Sequence, residues 1–97
     1  MSLEDYTTVK RWTSNLAAST GKVNLYIMND WLDWMKKNSS KFRDFTPDDF
    51  IDFQRNSTRD NEFEILDEVQ AWVIKTKGRA GYKERKYATI RGFFKRN

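Results

Sequence analysis

The sequence predicts an all-α fold, a compact bundle of four to five helices in one domain covering residues 1–97. Apolar residues recur three and four positions apart along most of the chain, which is the spacing of a single helix face. No stretch alternates apolar and polar residues for long enough to predict a strand. Short polar segments that favour turns separate the periodic stretches, as expected for a bundle with short loops. Residues 1–3 carry no fold signal and could be a cloning remnant.

Two long periodic stretches fill the first part of the chain. The first predicts a helix over residues 4–18, and the second predicts a helix that begins after an N-cap at Ser19 or Thr20 and ends near Asn38. The expected core faces of these two helices are, in order, Val9, Trp12 and Leu16, and then Val23, Ile27, Trp31 and Trp34, with Met28, Leu32 and Met35 beside them.

The clearest helix start in the sequence is the run Thr46-Pro47-Asp48-Asp49. Thr46 is expected to cap the helix, Pro47 suits the first helical position, and the two acids suit the positive end of the helix dipole. This short helix is expected to end near Asn56. Its predicted buried side chains are Phe50, Ile51 and Phe53.

Two further helices are predicted after the Asn56-Ser57-Thr58 break. The first is expected to be capped by Asp60 or Asn61 and to continue to about Lys77. Its core face is predicted to contain Phe63, Leu66, Val69, Trp72 and Val73. Residues 78–81 form a turn, and the last helix covers about 81–95, with Tyr87, Ile90, Phe93 and Phe94 directed inward.

Composition argues against several classes of protein. The chain has no Cys and no His, so it lacks a disulfide framework, a thiolate nucleophile and the usual neutral-pH acid–base group. It has no phosphate-binding glycine motif, no apolar run long enough for a membrane span and no secretory leader. Asp48, Asp49 and Asp52 could approach a cation, but helix-dipole stabilisation explains them better. The sequence therefore predicts no enzyme activity, no cofactor and no metal site in this chain.

The aromatic content of 15% is attributed to core packing.

Charge is distributed unevenly along the chain. Residues 1–74 contain nine basic and 13 acidic side chains, a net charge of −4, whereas residues 75–97 contain nine basic side chains and only Glu84, a net charge of +8. The apolar residues between these charges argue against a disordered basic tail. The sequence therefore predicts a helix with one basic face that attracts phosphate.

A helical projection of residues 82–96 suggests where that face lies. Arg85, Ala88, Gly92 and Arg96 fall opposite the apolar stripe, so two arginines flank small residues that would allow a phosphate backbone to approach. The small residues could instead face solvent or pack against a neighbour, and Arg91 could instead pair with Asp67 or Glu68. The predicted DNA-binding residues are Lys22, Lys77, Arg79, Lys83, Arg85, Lys86, Arg91, Lys95 and Arg96.

The order of these motifs resembles the SAM-like core-binding domain of phage integrases and other tyrosine recombinases. Three segments carry the resemblance over about residues 9–97: Thr20, Asn24, Met28 and Trp31-Leu32 with Trp34-Met35, then Phe45-Thr46-Pro47-Asp48-Asp49-Phe50, and finally Arg85 with Ile90-Arg91-Gly92-Phe93-Phe94. Asn24 departs from the tyrosine usual in that family, and residues 78–81 lack its common Ser/Thr-x-x-Thr helix start.

The resemblance implies a specific role for the chain. Such domains form half of a clamp around duplex DNA, and a separate C-terminal domain carries the catalytic residues. The implied partners are double-stranded DNA and that catalytic domain, with self-association on DNA left open and no membrane involved. The implied location is the prokaryotic cytoplasm, whether the protein is encoded by the host, a virus or a plasmid. When bound to DNA, it would be associated with the nucleoid.

Two other functions are compatible with the sequence. The acidic segment 44–68 could make the bundle a protein-interaction module that binds a basic partner. The turn at residues 78–81 has the length found in helix-turn-helix regulators, whose second helix reads DNA. The long predicted helix after Ser19-Thr20 favours the recombinase-type domain over that regulator.

Overall fold

A computed structural model describes residues 3–14, 16–59, 61–76 and 78–97, and these residues form five α-helices and no strand. The prediction of an all-α bundle is therefore confirmed. A 3₁₀ turn at Leu3–Asp5 precedes the helices, which are α1 (Thr7–Thr13), α2 (Ala18–Asn38), α3 (Pro47–Arg55), α4 (Glu64–Lys75) and α5 (Ala80–Arg96).

Six of the fourteen buried apolar residues are aromatic, in line with the expectation that the aromatic residues pack in the core. The Trp31 ring of α2 lies 4.7 Å from the Phe50 ring of α3, measured between ring centroids. Phe42, in the loop before α3, packs against Phe50 as well. On the other side of the bundle, Trp12 of α1 meets Phe93 of α5 edge-on at 5.3 Å. Large rings let so short a chain bury enough apolar area to fold.

The predicted start of α3 is confirmed in detail. The Thr46 hydroxyl accepts a hydrogen bond from the Asp49 amide at 3.2 Å, and the Asp49 carboxylate accepts one from the Thr46 amide at 2.9 Å. Two amides that the helix itself cannot satisfy are thereby paired. Asp48 is also engaged, because its carboxylate accepts a hydrogen bond from the Thr8 amide in the first turn of α1.

The first two helices begin and end elsewhere than predicted. The stretch predicted as one helix over residues 4–18 divides into the 3₁₀ turn and the two-turn α1, so Leu16 lies outside a helix and is 36% exposed. Neither Ser19 nor Thr20 caps α2, because the helix begins at Ala18 and its N-cap position is Ala17. Val23 is 37% exposed and is not part of the core.

The start of α4 is also later than predicted. Asn61 does not cap this helix, since its side-chain oxygen accepts a hydrogen bond from the Thr58 amide and closes the loop instead. Asp60, the other predicted cap, and Lys77, the predicted end, lie outside the described residues. Phe63 precedes the first turn of α4 and is 58% exposed, so it is not the core residue that the periodicity indicated.

The last helix is central to the arrangement and packs against α1, α2 and α4. The side-chain amide of Asn97 donates to the Thr8 carbonyl, while Trp12 lies beside Phe93, so α1 runs antiparallel to the end of α5. These contacts determine which side of α5 is left for solvent.

Candidate nucleic-acid interface

The side chain of Lys86, a predicted phosphate contact, points into the protein. The residue is only 4% exposed, and its ammonium nitrogen lies 3.1 Å from the Asp30 carboxylate of α2. The same nitrogen lies 4.7 Å from the centre of the Tyr82 ring and 5.3 Å from that of Trp72. An ammonium group held by an anion and two aromatic faces is stabilised without solvent. Lys86 therefore joins α5 to α2 and α4 and is not available to bind a phosphate.

The position of Lys86 changes which side of α5 faces inward. The buried side chains are Lys86, Ile90 and Phe93, while Tyr87 and Phe94 are half-buried. At 100° per residue, this inner face lies about 60° from the stripe that the apolar pattern alone predicted. The pattern could not indicate this rotation, because it counts a lysine as an outward residue.

The outer face of α5 nevertheless carries four of the nine predicted cations. The exposed basic residues of this helix are Arg85, Arg91, Lys95 and Arg96, and Ala88 is exposed among them. None of these four side chains forms an ion pair with a described residue, and Arg91 in particular pairs with neither Asp67 nor Glu68. The outer face therefore presents four charges that are free to bind an anion.

Gly92 lies among these cations on the helix but is less open to solvent than they are. It is half-buried, and a Cβ atom placed on it would lie 3.9 Å from the indole nitrogen of Trp12. The small residue thus lies beside α1, and the expected close approach of a phosphate at this position is not supported. Ala88, by contrast, remains open to solvent.

The beginning of α5 adds a second group of polar features. Arg79 occupies the N-cap position and is exposed, and no side chain caps the free amides of the first turn. Lys83 is half-buried, with its ammonium group 3.4 Å from the Ile74 carbonyl at the end of α4. Lys77 lies outside the described residues. Free amides and an arginine at one helix start are favourable to a phosphate group.

Lys22 lies on α2, a helix that packs against α5. Tyr26 of α2 and Tyr82 of α5 border the same surface pocket. The Cα of Lys22 lies about 6 Å before that of Tyr26 along α2, and Arg79 lies three residues, about 4.5 Å of helical rise, before Tyr82. Lys22 is exposed.

Two exposed cations on α1 and one on α4 lie outside the predicted set. Lys10 and Arg11 lie on α1, the helix that packs along the end of α5, and Lys75 ends α4. The net charge of −4 over residues 1–74 concealed the adjacent pair Lys10-Arg11. A local count of charges over each helix would have found it.

The described residues contain no group of acidic side chains arranged to hold a metal ion. No helix in the described part of the chain is long and apolar enough to cross a membrane.

No family model matches this sequence, and no significantly similar curated protein or solved structure was found.

Proposed function

We propose that this chain is a duplex DNA-binding domain of the tyrosine recombinase core-binding type, and that it binds DNA through the outer face of α5. The observation that carries the proposal is the set of four exposed cations on that face, Arg85, Arg91, Lys95 and Arg96, none of which pairs with a described acid. The order of sequence motifs from Thr20 to Phe94 supports the choice of family.

Phosphate contacts supply most of the binding energy in this proposal. Arginine can bind two phosphate oxygens at once, and the uncapped first turn of α5 adds backbone amides beside Arg79. With Lys22 included, the surface could contact about four to six phosphates. The logarithm of the binding constant should then fall with the logarithm of salt concentration with a slope of roughly −4 to −5. As half of a clamp, the isolated domain is expected to bind with a Kd of about 10⁻⁴–10⁻⁶ M.

The domain positions DNA and performs no chemistry itself in this proposal. The chain has neither His nor Cys, and an exposed basic helix face is suited to hold a phosphate backbone rather than to cleave it. A separate catalytic domain, as in the family that the sequence resembles, would act on the DNA that this domain holds.

The interaction-module alternative receives less support. Several acids of the segment 44–68 are already engaged within the fold. Asp48 bonds to the start of α1, Asp49 completes the capping box of α3, and Glu64 pairs with Lys41. The first two contacts fix the orientation of their carboxylates, and the third offsets the charge of Glu64, so these three acids are less available to a basic partner.

Duplex titrations followed by fluorescence anisotropy test the proposal. Arg85→Ala and Arg91→Ala should each weaken binding and reduce the magnitude of the salt slope by about 1, because each substitution removes a phosphate contact. Lys36→Ala is the matched control, since Lys36 is an exposed cation on α2. Equal affinities and slopes for all three variants would contradict the assignment of the site to α5.

A further inference from the structure

A second surface feature lies between the beginning of α4 and the end of α5. Residues of the first half of α4 and the last turns of α5, with Gln54 of α3, border a groove of about 310 Å³. The floor consists of the buried side chains of Ile65, Val69 and Ile90, with Phe94 half-buried in the wall. Phe63 stands at the edge with its ring largely exposed. Among the described residues, no helix covers this groove, so its apolar surface is open to water.

The two edges of the groove differ in charge. The α5 edge carries Arg91 and Lys95, which are exposed and form no ion pair with a described residue. They are four positions apart, so their Cα atoms lie about 6 Å apart along the helix axis. The opposite edge carries Glu62, whose backbone carbonyl accepts a hydrogen bond from Gln54. An occupant must therefore be apolar toward the floor and negative toward α5.

We infer that this groove binds an amphipathic helix of a partner protein, one with an apolar face and two carboxylates a single turn apart on its α5 side. An apolar trough bounded by two helices suits the helix-in-groove mode, in which side chains at i, i+3, i+4 and i+7 anchor the ligand. Carboxylates at i and i+4 of that ligand match the spacing of Arg91 and Lys95. Phe63 packs against the ligand and excludes water from the contact.

The same surface is poorly suited to a nucleic-acid backbone alone. A phosphate chain could satisfy Arg91 and Lys95 but would leave the apolar floor and the Phe63 ring exposed. Exposed apolar area of this kind beside a polar edge is typical of protein-interaction sites. The proposal is independent of DNA binding, although both functions would use Arg91 and Lys95 and would therefore compete.

The test uses a fluorescent synthetic helix of about 16 residues, with leucines at the anchor positions and two glutamates one turn apart on one flank. The charge reversal Arg91→Glu with Lys95→Glu should weaken binding by at least about tenfold. A second peptide with lysines in place of the two glutamates should recover affinity for that variant. Phe63→Ala should weaken binding of the first peptide by about tenfold, and because this ring is exposed the fold should be retained.

The control variant is Lys36→Glu with Lys37→Glu, which reverses two exposed charges on α2, outside the groove. It should leave affinity for the peptide within about twofold of the original value, since distant surface charges contribute little. The inference is overturned if the first peptide does not bind the original protein or if both peptides bind it equally. It is also overturned if Phe63→Ala leaves the affinity for the first peptide unchanged.

A duplex titration separates this inference from the proposed function. Phe63→Ala should leave duplex affinity unchanged, because the ring is not a phosphate contact. If Phe63→Ala weakens duplex binding, the groove holds nucleic acid and the inference of a protein helix is overturned. If duplex binding is absent while the peptide binds as described, only the proposed DNA function fails.

Discussion

Helices α3 and α5 are stabilised in different ways. Local residues define the start of α3, where Pro47 occupies the first position and Thr46 and Asp49 satisfy each other's backbone amides. Helix α5 has no side-chain cap, and its orientation depends on distant residues, chiefly Asp30 of α2 and Trp12 of α1. The start of a helix such as α3 can be identified from sequence, whereas the exposed face of a helix such as α5 is decided by its tertiary partners.

The largest expected effect comes from removing an apolar anchor of α5. Phe93→Ala deletes a fully buried ring that packs against Trp12, and it should lower the free energy of unfolding by about 3–5 kcal/mol. Urea denaturation followed by circular dichroism measures this loss. Tyr26→Ala, which removes a ring that is 67% exposed, should change the value by no more than about 0.5 kcal/mol. A loss below about 1 kcal/mol for Phe93→Ala would contradict the anchoring role.

A smaller loss is expected when the ion pair between α5 and α2 is broken. Asp30→Asn leaves the buried ammonium of Lys86 without its anion, and it should cost about 1–2 kcal/mol, since the Asp30 side chain is 43% exposed and partly screened. Adding Lys86→Met should recover much of that loss, because the aromatic surroundings accept an apolar chain of similar length. Chemical denaturation of the single and double variants measures both effects.

The matched control for the ion pair is Asp33→Asn. Asp33 is an exposed acid on the same helix and forms no ion pair with a described residue. If Asp33→Asn destabilises the protein as much as Asp30→Asn does, the loss reflects only the change in net charge. Lys86 would then not orient α5 through Asp30.

The smallest expected loss of stability distinguishes two threonines that the sequence indicated as helix caps. Thr46→Ala removes a cap that the structure contains, and it should cost about 1 kcal/mol. Thr20 lies inside the first turn of α2 without a capping hydrogen bond, so Thr20→Ala should stay within about 0.5 kcal/mol of the original stability. Paired thermal melts of the two variants measure the difference, and equal losses would show that Thr20 contributes as a cap in solution.

The candidate interface was only partly predictable for a physical reason. Arg85, Arg91, Lys95 and Arg96 are exposed as expected, because clustered charge is visible in the sequence and charged side chains favour solvent. Lys86 was misplaced because the residues that stabilise it, Asp30 and Trp72, are distant along the chain. Lys10 and Arg11 were overlooked because the net charge of −4 over residues 1–74 concealed them, and only the packing of α1 against α5 relates them to that helix.

By itself, the sequence determined the all-α class, the capped start of α3, the aromatic core and the basic character of the last helix. These features follow from side-chain spacing, backbone preferences and charge over a few neighbouring residues. The tertiary structure decided the inner face of α5, the burial of Lys86 and the exposed groove beside Phe63. A lysine can be buried only where an anion and aromatic rings meet it, and contacts between distant helices create that environment.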